Sequence, residues 1–211
     1  MYRPPMFDVA DLADQHAVIR DHGFAQLTTA GAGGLKATHI PLHLIKGDEL
    51  GILWGHVSKA NDHWRDFDGA TEALAAFWGP HAYISPTWYE TKKSVPTWNY
   101  EAVHAYGRPR IIEDAGRVVQ LLSSLTAQYE GAGPQAWKVA DLPEDFIAAQ
   151  LKGIVAFEMP VERLEGKRKM SQNRKPEDVK GAMAGLNAGG RDGDAQVAGI
   201  MAGCNADRLA D

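Results

Sequence analysis

A single cysteine, Cys204, among 211 residues excludes an internal disulfide and any metal site built on cysteine thiolates. No apolar run reaches the ~18–20 residues of a membrane-spanning helix. The opening MYRPPMFDVADL lacks the basic start and apolar stretch of a secretion signal, so a cytoplasmic protein is expected. Basic residues are in the minority, 22 Lys and Arg against 27 Asp and Glu, for a net charge of −5. That excludes the broad basic face of a typical nucleic-acid binder while leaving room for a local patch. Also missing are a G-x-S-x-G nucleophile elbow, the G-K-[ST] ending of a phosphate loop after the glycines at 31–34, a helix-turn-helix pattern and any internal repeat. Cys204 sits in a Gly/Ala-rich tail with no neighbouring His and reads as inert rather than nucleophilic.

What is present fits a packed domain: 45% hydrophobic and 23% charged residues, a balance that argues against disorder. The apolar spacing of Val9, Leu12, Ala13, Ala17 and Ile19 predicts a helix, capped by Asp8 or Asp11 and ended by Gly23. From Phe24 the period becomes strand-like. FAQLTTA, the turn GAGG and LKATHIPLHLI predict a hairpin, with Pro41 marking an edge or a bulge. ELGILWGHV is a further strand, NDHWRDF a short helix capped by Asn61, and TEALAAFW another strand. NYEAVHAYGRPRII and GIVAFEMPVERLEG complete about six strands. Helices are expected over EDAGRVVQLLSSLTAQYE, with Val118, Leu121, Leu122, Leu125 and Tyr129 on one face, and again from Pro143. The segments PEDVKGAMAGL and DAQVAGIMAG have weak apolar faces, which suggests helices lying on a partner surface. The sum is a mainly β fold with peripheral α: an antiparallel barrel, closed or partly closed, over 1–175, with a C-terminal helical extension over 176–211.

Three stretches carry possible chemistry. His39 and His43 fall on one predicted strand with even spacing, so both face one side. No third ligand is in evidence for a metal, His56 and His81 having no spacing rule behind them, and the histidines read as polar or cofactor-facing. Residues 79–100 hold Pro80, Pro86 and Pro96 and are expected to form a long functional loop. With their flanking strand, residues 77–100 gather seven aromatics, together with His81, Ser85, Thr97 and Asn99. Such a mixture suits either aromatics packed across a dimer or a wall for a flat aromatic ligand. Finally, KRKMSQNRKPEDVK (167–180) carries six basic residues against two acidic ones, either a solvated face or a donor-rich anion site. HVSKAN (56–61) is a smaller set of the same kind.

GPHAYISPTWY (79–89), VPTWNYEAVHAYGR (95–108) and LEGKRKMSQNR (164–174) closely resemble the signature segments of the PaiB family, with weaker agreement in MYRPPMF, THIPLHL and GHVSKANDHW. These are FMN-binding negative transcriptional regulators. The resemblance implies an FMN-binding split β-barrel of antiparallel, Greek-key type, forming a homodimer with FMN at the interface. It implies phosphate contacts from Thr38, His39, Ser58 and Lys59. It puts Lys169, Gln172 and Arg174 near the flavin, and His81 belongs to the aromatic wall beside them. No catalytic residue and no metal are assigned. The function implied is FMN-linked transcriptional regulation, with DNA as a partner that the charge supports poorly. The alternative is a flavin-dependent oxidoreductase or flavin reductase acting on a small molecule.

Overall fold

The structure, a computed structural model, describes residues 1–47, 49–131 and 133–210. In chain order the elements are β1 (Asp8–Val9), α1 (Leu12–Asp21), β2 (Phe24–Gly31), β3 (Gly34–Pro41), β4 (His43–Ile45), β5 (Ile52–Ser58), β6 (Ala73–Ile84), β7 (Thr97–Gly107), β8 (Arg110–Ile111), α2 (Ala115–Glu130), α3 (Glu144–Leu151), β9 (Ile154–Lys169), α4 (Pro176–Gly189), α5 (Asp194–Cys204) and α6 (Ala206–Leu209). Short 3-10 turns join several of them, and no helix is long and apolar enough to cross a membrane among the described residues.

The strands form one sheet in the order β3-β2-β6-β7-β9-β5-β4, with β1 and β8 added against β9. Every ladder whose register is defined is antiparallel. This is the mainly β architecture expected. The path ends freely at β3 and β4, so among the described residues the sheet is not a closed barrel. Pro41 ends the edge strand β3, and the chain steps at Leu42 onto a different ladder, β4 against β5. His39 and His43 therefore stand on different ladders rather than on one strand face. His39 stacks on Phe24, whereas His43 Nδ1 bonds Gln128 Oε1 at 2.5 Å.

The expected loop over 79–100 is shorter than its composition suggests. β6 continues through Gly79 and Pro80 to Ile84, and β7 begins at Thr97. β2 pairs β6 only over Ala73–Ala76. Pro80, which has no N–H to give, thus lies beyond the part of β6 that needs donors on that side.

Contacts divide the chain into two units, both built from separated segments. Unit 1 comprises Met1–Val18, Trp78–Val103 and Glu165–Asp211, and unit 2 comprises Ile19–Phe77 and His104–Leu164. In unit 2, α2 is capped by Asp114, whose carboxylate accepts the Arg117 amide at 2.8 Å. Its Val118 and Leu121 pack on Trp54, Ile112 and Ala156. Tyr129, expected on the same face, is exposed.

In unit 1, α4 and α5 bury Val179, Ala182, Leu186, Val197 and Met201 against Ala82, Ile84, Tyr89 and Met170. Helices that the sequence suggests for a partner surface thus build the core of their own unit. Small residues make this possible. Gly181 and Gly185 of α4 lie so close to Trp88 that a Cβ would come within 2.1 Å of its carbonyl oxygen and 2.2 Å of its indole.

Candidate functional site

The ends of β6, β7 and β9 in unit 1 form a two-faced surface. Strand alternation sends Ala82 and Ile84 of β6 under α4 and α5. It sends His81 and Tyr83 to the other side, where they meet Trp98 of β7 with ring centroids 5.9 and 6.1 Å apart. An open cavity of about 450 Å³ is lined here by Trp78, Gly79, His81, Trp98, Tyr100 and Glu101. Trp78 and Trp98 are each about half exposed, at 50% and 53%.

β9 brings charge to this surface. The Lys169 ammonium donates to the Trp98 carbonyl at 2.8 Å and to the Thr97 hydroxyl. Burial, then the Lys167 and Arg174 charges, push its pKa down. The Lys167 ammonium lies over the Tyr100 ring at 5.2 Å and the Tyr2 ring at 5.4 Å. Arg168, between them, alternates to the other face and bonds Glu101 and Asp14.

After Lys169 the chain turns sharply. Ser171 adopts φ +65°, unusual outside glycine, and its hydroxyl accepts from Asn99 Nδ2 at 2.9 Å. Gln172 clamps the turn: its Oε1 accepts the Met170 amide and its Nε2 donates to the Arg168 carbonyl, both at 2.7 Å. Arg174 lies 4.6 Å over the Tyr89 ring and donates to Ser94 Oγ at 3.3 Å.

Unit 2 holds a directed chain of hydrogen bonds. His63 is 1% exposed, and burial, followed by opposing effects of Asp66 and Lys36 and then of Asp62, lowers its pKa, so it is neutral at pH 7. Only the Nε2–H tautomer gives each proton an acceptor. Asn61 Nδ2 donates to the Thr38 hydroxyl at 3.1 Å, which donates to His63 Nδ1 at 2.8 Å. His63 Nε2 donates to the Thr29 hydroxyl at 2.9 Å, which donates to Asp66 Oδ2 at 2.6 Å. Asn61 also caps its short helix, accepting the His63 amide at 3.0 Å. Ser58 and Lys59, at the end of β5, are exposed. The Ser58 hydroxyl accepts the Ala60 amide at 3.3 Å.

Of the residues singled out from sequence, unit 1 therefore gathers His81, Lys169, Gln172 and Arg174 around β7 and the turn after β9. Unit 2 places Thr38 in the His63 chain, with His39 next to it on the exposed side of β3. Sequence reading missed His63, Thr29 and Asp66, whose contact depends on tertiary pairing. It also missed Lys167, although its spacing of two from Lys169 already put both on one strand face. Among the described residues no group of three or more His, Cys, Asp or Glu side chains stands close enough to hold a metal.

This architecture is that of the flavin-binding split barrels. It matches the FAD and heme binding protein of Mycobacterium smegmatis with a TM-score of 0.61 at 13% identity, covering 82% of this chain and 78% of that one. It matches the flavocytochrome Anf3 of Azotobacter vinelandii at 0.60 and 12%, covering 80% and 72%. In sequence, residues 1–163 fit the profile of a family described as "Putative FMN-binding domain". The Bacillus subtilis protease synthase and sporulation protein PAI 2 is 36% identical over 180 residues, 84% of this chain and 85% of that protein. A protein of Emericella nidulans is 30% identical over 242 aligned positions, 95% and 96% of the two chains. The chain belongs to the PaiB family of FMN-binding proteins.

The residues of unit 1 suit such a cofactor. Trp78, Trp98 and Tyr100 supply apolar ring faces for a flat heterocycle, and the β9 lysines supply donors for its polar edge or an anionic substituent.

Proposed function

We propose that the protein is an FMN-binding negative regulator of transcription that acts in the cytoplasm as a homodimer. Membership of the PaiB family carries this reading, and the aromatic surface of unit 1 supports it. Trp78, His81, Trp98 and Tyr100 hold the flavin ring, Lys169 anchors β9 to the Trp98 backbone beneath it, and Gln172 and Arg174 fix the turn beyond. In unit 2, taken by itself, the resemblance implies FMN phosphate contacts from Thr38, His39, Ser58 and Lys59. FMN, when bound, supplies a ring that exchanges hydride or electrons. The protein's part is to orient that ring and exclude water from its face. Half-exposed Trp78 and Trp98, with Val95 nearby in sequence and 69% exposed, support a second copy as the cover for this surface.

Three measurements on the purified protein test the reading. The released chromophore should be FMN. Binding to promoter DNA of the genes it controls should weaken with salt and depend on flavin loading. Steady NAD(P)H oxidation without sequence-specific DNA binding would overturn regulation in favour of flavin-dependent oxidoreduction.

A further inference from the structure

The polar chain of unit 2 leaves the Thr38 side chain with no proton to offer an anion. Asn61 Oδ1 accepts the His63 amide at 3.0 Å, so its Nδ2 is the group that donates to the Thr38 hydroxyl at 3.1 Å. Thr38 has a single proton, and neutral His63 takes it at Nδ1, 2.8 Å away. The half-buried Thr38 hydroxyl therefore turns only a lone pair to solvent. The other neutral tautomer would free that proton at a cost. Nδ1–H would donate to Thr38 and Nε2 would claim the Thr29 proton. The Thr29 hydroxyl and Asp66 Oδ2, 2.6 Å apart, would then meet with lone pairs alone. Both are buried, at 1% and 7% exposure. A second proton on His63 avoids this. Both ring nitrogens then donate, the Thr29–Asp66 bond persists, and the Thr38 proton turns outward. The charged groups facing the ring are Asp66 and Asp62 of its own turn and Lys36 of β3, whose ammonium lies 3.8 and 3.3 Å from those carboxylates. β2 brings neutral Thr29, and the Phe67 ring lies at 5.3 Å.

We infer that His63 is a positioning residue: Thr38 donates to an oxyanion only when the His63 ring takes up a proton, so anion binding at Thr38 is coupled to protonation of His63. This rests on the flavin reading, in which the resemblance makes Thr38 a phosphate contact, and adds a proton to it. Linkage gives the converse. The bound anion raises the His63 pKa, and affinity falls as pH rises between the free and bound values.

Titration calorimetry in buffers of different ionisation enthalpy counts the protons taken up when the full chain binds FMN. At pH 7.5 a phosphate monoester, with its second pKa near ~6, is already a dianion. Wild type should take up at least about half a proton with FMN and none with riboflavin, which lacks the phosphate. Above pH 7 its FMN affinity should fall by up to about tenfold per pH unit. His63→Gln, which cannot titrate, should bind FMN without uptake and lose that pH dependence. Where His63→Gln does not fold, the ring-nitrogen NMR shifts of wild-type His63 decide, with one protonated nitrogen expected in the free protein and two in the FMN complex. A ring that stays neutral in the complex, an uptake that survives His63→Gln, or the same uptake with riboflavin overturns the inference and leaves the flavin reading standing. So does an uptake that only His39→Gln abolishes, which puts the proton on the exposed neighbour. If FMN does not bind, the flavin reading fails, and sulfate, which has no proton to exchange at this pH, decides the coupling. Uptake with sulfate that His63→Gln removes supports it, and no uptake overturns it.

Discussion

Replacing Gly185 of α4 by Ala sets two effects of opposite sign against each other, and the structure says which wins. In a helix interior Ala is favoured over Gly by about 1 kcal/mol. The new Cβ, however, would lie 2.2 Å from Trp88 Cδ2 and 2.5 Å from both Cγ and Cε2. Ordinary carbon contact begins near ~3.5 Å, so the indole must retreat by roughly 1.3 Å. Trp88 packs on a buried cluster that includes Leu186 and Met201, and such forced displacements cost about 1–3 kcal/mol. The expected net loss is up to roughly 2 kcal/mol. Gly199 of α5 is the control, since a Cβ there meets nothing within 4 Å. Gly199→Ala should raise stability by up to about 1 kcal/mol. Urea unfolding at one protein concentration, with the denaturant slope checked for constancy, reads both. Trp88→Leu should recover most of the Gly185→Ala loss, as neighbours in contact couple. If Gly185→Ala stabilises as much as Gly199→Ala, the seating of Trp88 on α4 is wrong.

Further outcomes follow from the polar interior. Because burial lowers the His63 pKa, the folded state binds fewer protons there than the unfolded chain. Stability should therefore fall as pH drops below about 6.5 and level off below the folded-state value; a His63→Asn variant should show a smaller change between pH 7.5 and 5.5 in urea melts. Asp178 accepts the Thr91 amide at 3.0 Å and the Thr91 hydroxyl at 2.7 Å. Asp178→Ala leaves both donors unmatched and should cost about 2–3 kcal/mol, with faster proteolysis within 85–96; unchanged cleavage would show that these bonds do not restrain the loop. Sedimentation at micromolar concentration should give a dimer, and Trp98→Glu, which puts a charge on the half-exposed aromatic surface, should shift it toward monomer.

Legibility from sequence followed the range of the interactions. Strands with a single buried face could be read directly, as in β2, where Ala25, Leu27 and Thr29 are buried in alternation. Local caps were equally plain: Asp11 accepts the Asp14 amide at the start of α1, and Asn61 performs as expected. β6 past Gly79 was hidden because proline and glycine carry the signature of a loop, and only the extent of the β2 ladder shows that Pro80 is harmless there. The burial of α4 and α5 was hidden because small residues give a faint apolar period, although they are what lets Trp88 approach. For the site, the aromatic wall was visible as composition. The seating of Lys167 between the Tyr2 and Tyr100 rings was not, since it depends on tertiary packing of segments far apart in the chain.

The segmented make-up of unit 1 has a consequence for the order in which the chain acquires its structure. β1 pairs with β9 through Asp8–Lys167 and Val9–Gly166, and the apolar centre of the unit draws on Ala82, Met170 and Met201 together. The first strand is thus synthesised long before its partner, and the helices that seal the unit are made last. Closing such distant segments is slow, because the entropy of the intervening chain is lost before the contacts form. A nascent chain halted after Leu164, close to the end of the family match at residue 163, holds every segment of unit 2 but lacks a third of the pieces of unit 1. Trp88 and Tyr89 would then stand without their covering helices, open to chaperones or to a second unfinished chain. Expression of shortened forms should accordingly tolerate little loss from the C-terminus, even though the family profile matches only to residue 163.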